Sequence, residues 1–145
     1  MAKPSPALDQ RVDALLAASR EILQVSPEGT RAAILYGSSL GPGFRADSDI
    51  DIAILDDAED RLSWSDQAQL MDILERALKR GVDLRMLRDG SPSYQSHVLE
   101  HGCLIWERQP GELTRYADEA FSAIQAARRR SEQEWPHALS RLAGR

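Results

Sequence analysis

Apolar positions along the chain follow two rhythms, one of helical period and one of strand length, and the switches between them divide it into eight elements. Residues 7–24 place Leu8, Val12, Leu15, Leu16, Ile22 and Leu23 near helical spacing, and Ser26-Pro27-Glu28-Gly29 ends that helix. Ala32-Ala33-Ile34-Leu35-Tyr36 is a short apolar run of strand length, followed from Gly37 to Ser48 by a Gly-, Ser- and Pro-rich loop with room for one helical turn. Ile50-Asp51-Ile52-Ala53-Ile54-Leu55 is the clearest strand: β-branched, apolar on both faces, and ended by Asp56-Asp57. A second helix is predicted over 65–80, with Leu70, Ile73, Leu74, Ala77 and Leu78 on one face, Ser63 or Ser65 as cap and Gly81 as terminator. Val82 to Leu87 reads as a third strand, 93–101 as a short helix, Cys103 to Trp106 as a fourth strand and 112–130 as a long helix. The tail, 131–145, is expected to add a helical turn on each side of Pro136. The order α-β-β-α-β-α-β-α predicts an α/β (α+β) fold, a small mixed sheet of about four strands flanked by helices. Residues 1–110 would form the domain and 111–145 a helical arm packed on it.

Composition narrows the picture. A chain of 145 residues, 42% hydrophobic and 28% charged, suits one compact domain with one core, and it contains no repeat or low-complexity tract. Eighteen basic against 23 acidic residues leave a net charge of -5, which argues against general binding to a nucleic-acid backbone. Nucleotides remain accessible to such a protein, because metal ions can bring phosphates to acidic groups. Cys103 is the sole cysteine, so neither an internal disulfide nor a thiolate zinc site is available, in keeping with a reducing cytoplasm. The first residues carry no apolar stretch of the signal-peptide kind, and no apolar run approaches the ~20 residues of a membrane span. A cytoplasmic protein without membrane contact is the expectation.

The candidate chemistry begins at Asp49-Ile50-Asp51. Alternate strand residues point to the same side, so both carboxylates face one way, with Cα atoms about 6.6 Å apart. Two like charges at ~4 Å repel by about 4 kcal/mol in an effective dielectric of about 20, a cost that a divalent cation removes, and Mg²⁺ prefers hard oxygen ligands. From these two aspartates alone, a solvated strand end is the favoured reading. Gly37-Ser38, directly after the first strand, adds a turn where backbone N–H groups can cradle a phosphate and the Ser38 hydroxyl can assist. Asp83 adds a third acid among apolar neighbours, unless it is an exposed residue after the Gly81 turn. If its strand neighbours that of Asp51, three carboxylates gather at one sheet edge, a set suited to two metals about 3.5–4 Å apart.

The segment Tyr36 to Leu55, YGSSLGPGFRADSDIDIAIL, resembles the signature of the DNA polymerase β-like nucleotidyltransferase superfamily, closest to its minimal nucleotidyltransferase (MNT) branch. Ten residues separate Ser38 from Asp49, Ser48 completes a Ser-Asp-Ile-Asp run, and Val82-Asp83-Leu84 matches the later strand that carries the family's third acid. Gly102 to Glu107 looks like the family's last strand, so the resemblance spans about residues 10–107. It departs in three places: Ser39, Leu40 and Gly41 stand where arginines usually follow Gly-Ser, His101 replaces an acid and Trp106 a tyrosine. The resemblance implies that Gly37, Ser38 and Ser39 bind the triphosphate of ATP, with Arg45 substituting for the missing arginines. It implies that Asp49 and Asp51 ligate two Mg²⁺ ions and that Asp83 ligates the second and helps deprotonate the acceptor. The reaction is then in-line attack on the α-phosphorus with loss of pyrophosphate.

Other motifs compete less well. His97-Val98-Leu99-Glu100-His101 fits the zinc-peptidase pattern H-x-x-E-H, but its helix is short and no third ligand is evident. Arg128-Arg129-Arg130 reads as an RNA or partner contact or as the basic end of a helix, and Tyr116, Phe121 and Ile124 as core or as partner surface. About 35 residues follow the last strand, mostly one helix, so a partner is expected to supply the acceptor. In the MNT branch that partner is a helical HEPN ribonuclease toxin, and the MNT antitoxin transfers AMP to a toxin tyrosine. Two alternatives stand beside this: a transferase acting on a small molecule or another protein, and a non-catalytic antitoxin that blocks its partner sterically.

Overall fold

The two apolar strand-length runs near the start of the chain become the centre of a sheet. In the computed structural model, which describes residues 9–40 and 48–142, the elements are α1 (Asp9–Leu23), β1 (Thr30–Tyr36), β2 (Ile50–Asp56), α2 (Trp64–Leu78), β3 (Val82–Met86), α3 (Pro92–His101), β4 (Cys103–Glu107) and α4 (Glu112–Leu142). The strand order is β3-β2-β1-β4. β1 runs antiparallel to β2 and β4, while β2 and β3 are parallel, so the sheet is mixed as expected.

Burial on both faces explains why β1 and β2 read as unbroken apolar runs. Ala33, Leu35, Ile52 and Ile54 turn to the layer formed by α1 and α2, together with Leu70 and Leu74. Ala32, Ile34, Ala53 and Leu55 turn to α3 and α4, together with Val98 and Leu113.

α2 has one of its two expected caps and departs from expectation in two other respects. Its cap is Ser63, which accepts from the Asp66 N–H at 3.0 Å while Asp66 returns a bond to the Ser63 N–H, a reciprocal capping box. It ends at Leu78 rather than at residue 80, because Lys79 itself takes the left-handed conformation, φ 54°, and its N–H bonds to the Glu75 carbonyl. Its buried stripe is also narrower than predicted: Leu70, Leu74 and Leu78 are buried, whereas Ile73 and Ala77 face outward.

α4 differs as well. It runs as one helix of 31 residues through Pro136, where a separate turn on each side was expected. A proline deletes one bond of the helical ladder, but the turns before and after it can remain in register. Among the described residues no helix is long and apolar enough to cross a membrane.

Candidate active site

Three strand positions align across the sheet: Tyr36 pairs with Asp51, and Asp51 with Asp83. Because β2 and β3 are parallel neighbours, the two acids share a face, and the juxtaposition that Asp83 needed is realised.

Gly37 follows Tyr36 at φ +76° and turns the chain into a short 3-10 turn, Gly37–Leu40. That backbone conformation favours glycine, and a Cβ at this position would collide with the carboxylate of Asp51. The turn that contains Gly37, Ser38 and Ser39 is thereby brought against Asp51, while Arg45 lies outside the described residues.

Asp49 stands just before β2 and is exposed. Its carboxylate rests against Gly81, where any side chain would clash, and the Ile50 N–H donates to the Gly81 carbonyl at 2.9 Å. Gly81, expected as a helix terminator, leaves the space that the Asp49 carboxylate occupies, and an added side chain there would push that carboxylate aside. Asp51 and Asp83 form the facing pair, and Asp49 stands beside them. Among the described residues no three carboxylates, imidazoles or thiolates converge on one point.

The electrostatics set like charges against one another. Burial raises the Asp51 carboxyl above the ordinary aspartate range, and the neighbouring charge of Asp83 adds to it, with a smaller contribution from Asp49. Arg85 offsets part of this, its Nε lying 3.4 Å from Asp83 Oδ2, but its side chain is 61% exposed, so solvent screens the pair. A desolvated carboxylate facing a second one, in an all-oxygen donor set, fits a divalent ion of the Mg²⁺ kind. Asp51 and Asp83 are the facing residues that could hold it, with Asp49 beside them.

Two features beside the acids carried no motif. Arg85 occupies the same face as Asp83 two residues later, a spacing that strand alternation could have flagged. Tyr94, on α3, donates from its hydroxyl to that of Tyr36 at 3.2 Å, and the two rings meet edge to face at 5.6 Å. Burial raises the pKa of both phenols. No local signal reveals this pair, since 58 residues separate its members.

The competing motifs take structural places. His97 and His101 are exposed on α3, and Glu100 accepts from Ser96 Oγ at 3.1 Å and pairs with Arg128 at 3.8 Å, which ties α3 to α4. Ile124 is buried and Tyr116 packs on the second core layer, whereas Phe121 is 61% exposed.

A protein-family profile described as "Polymerase beta, Nucleotidyltransferase" matches residues 20–111. No curated protein sequence matches the chain. Among solved structures, a chain of a toxin–antitoxin complex crystallised with AMP-PNP superposes with a TM-score of 0.72 at 23% identity, covering 86% of this chain and 98% of that one. A chain of a toxin–antitoxin complex named MntA-HepT gives 0.62 at 21% identity, covering 93% and 99%. A chain of the tri-AMPylated Shewanella oneidensis HEPN toxin in complex with its MNT antitoxin gives 0.59 at 22% identity, covering 92% and 97%. At these identities the likeness is one of fold.

Proposed function

The chain belongs to the polymerase beta nucleotidyltransferase family, and on that footing we propose that it is an antitoxin of the MNT kind, transferring AMP from ATP to a tyrosine hydroxyl of a HEPN ribonuclease partner. The observation that carries this reading is the alignment of Tyr36, Asp51 and Asp83 across three adjacent strands, which sets the phosphate-type turn that begins at Gly37 beside a facing pair of acids. The AMP-PNP complex and the AMPylated HEPN toxin among its structural neighbours supply the nucleotide and the acceptor by analogy.

In this mechanism the turn at Gly37–Leu40 orients the β- and γ-phosphates through its backbone N–H groups, with the Ser38 and Ser39 hydroxyls and Arg45 as further contacts. Mg²⁺ held by Asp49, Asp51 and Asp83 would neutralise phosphate charge and favour the ionised acceptor. Asp83 takes the proton of the tyrosine hydroxyl. The phenolic oxygen forms its bond to the α-phosphorus as the bond to the bridging oxygen breaks, and pyrophosphate departs on the Gly37 side. The site does this mainly by positioning and by charge compensation.

Incubation of the chain with α-labelled ATP, Mg²⁺ and its HEPN partner tests the reading. Label is expected on the partner and is expected to vanish with Asp49→Asn/Asp51→Asn. Absence of label on any protein would overturn the proposal. Toxin neutralisation that survives the double substitution would favour the steric alternative.

A further inference from the structure

A cleft of about 400 Å³ lies along the outer side of β3, lined in part by Trp64, Gln67, Leu84, Arg85, Ser91 and Tyr94. β3 is the terminal strand of the sheet. Leu84 packs toward the α1–α2 layer, whereas Arg85 pairs with Asp83 on the opposite face. Residues from both faces of the strand therefore line the cleft, which places it across the open strand edge. Such an edge presents backbone N–H and C=O groups to an incoming chain, here from beyond the Val82 N–H, which Glu75 Oε1 already accepts at 3.2 Å. Trp64, the first residue of α2, is 86% exposed and contributes a large aromatic surface that the core does not use. Tyr94 supplies a second aromatic wall close to Tyr36.

The position of this cleft relative to the acids gives it a direction. Across the sheet the order is Gly37 at the end of β1, Asp51 on β2, Asp83 on β3, then the cleft. Displacement at phosphorus keeps attacking and leaving oxygens roughly in line. With pyrophosphate leaving on the Gly37 side, the nucleophile enters from the β3 side, where the cleft adjoins Asp83 through Arg85.

We propose that this cleft is the acceptor subsite and that it takes an extended, tyrosine-bearing segment of the partner protein, added as a strand along β3. The inference rests on the transferase reading above. A polypeptide fits better than a small molecule because its main chain can match the strand edge, while a tyrosine ring can pack against Trp64 and Tyr94. The phenol then reaches Asp83, gives it the hydroxyl proton, and forms its bond to the α-phosphorus as pyrophosphate leaves.

Label transfer measured over a range of partner concentrations tests this with Trp64→Ala and Trp64→Phe, at a position exposed enough to leave folding intact. Trp64→Ala is expected to raise the KM for the partner about tenfold, as for a central aromatic contact, with ATP affinity by equilibrium dialysis unchanged and Trp64→Phe restoring most of the loss. A partner KM within twofold of wild type overturns the assignment. A parallel fall in ATP affinity also overturns it, since the cleft would then hold the nucleotide. If wild type transfers label and the variants match it, only the cleft assignment falls; if wild type labels nothing, the transferase reading falls and the subsite with it.

Discussion

At the C-terminal end of β2, Asp56 is fully buried; its Oδ2 accepts from Arg61 Nε at 2.7 Å and from the Leu62 N–H at 3.1 Å, and Arg88 Nε stands 3.6 Å from its Oδ1. At the N-terminal end, Asp51 is half-buried, faces Asp83 rather than an arginine, and has only the screened Arg85–Asp83 contact nearby. One strand thus carries two kinds of acid. Asp56 receives its counter-charges from the chain and serves the fold, tying the Arg61 loop and the turn after β3 to the sheet. The other end gathers acids against one another, an arrangement that costs stability in isolation and gains sense when a ligand completes it. The difference between the ends is therefore one of compensation: Asp56 has its arginines within the chain, and on the transferase reading Asp51 and Asp83 draw theirs from a ligand.

The largest effect should appear at the structural end. Asp56→Ala leaves Arg88 and Arg61 without their shared acid and should cost about 3 kcal/mol in urea denaturation, the lower end for a broken buried pair because Arg61 is 42% exposed. ATP affinity of the folded fraction should hold, and a loss there would blur the contrast between the two ends. Asp51→Asn should do the reverse, lowering AMP transfer by more than about 100-fold while the melting temperature stays level or rises, since a repulsive neighbour of Asp83 is removed. A marked fall in melting temperature would mean that Asp51 is structural after all.

Gly37→Ala should fall between these outcomes. The left-handed backbone alone costs about 1–2 kcal/mol for a residue with a Cβ, and the Asp51 carboxylate must also move, so stability and ATP binding should decline together. The smallest effect is the direct one of the proposed cation. Mg²⁺ at about ten times its dissociation constant should stabilise the wild type by about 1.4 kcal/mol in thermal melts, and should leave Asp51→Asn nearly unmoved. Equal stabilisation of both proteins would place the ion elsewhere.

Much of the fold was legible because β1 and β2 are buried on both faces, and that environment demands apolar residues at nearly every position. Asp51 stands out against such a background, as does Gly37 at the end of the preceding run. Less was legible where one residue type admits several local outcomes. Gly81 had the look of a helix terminator, yet Lys79 makes that turn and Gly81 makes room for Asp49. Ile73 had the right spacing for the core and is 39% exposed, because helical period fixes an angle around the axis and not how wide a stripe the neighbours cover.

The sequence by itself determined the Gly37-Ser38 turn, the paired Asp49 and Asp51, and the strands that carry them, since each depends on a few neighbouring residues and a backbone period of two. Only the tertiary structure decided that Asp83 lies beside Asp51, that Arg85 joins it, and that Tyr94 reaches Tyr36. Those meetings depend on β3 returning parallel to β2 after α2, which packs Leu70, Leu74 and Leu78 onto the sheet. Local periodicity says which way a side chain points, and the packing of distant segments says what it meets there.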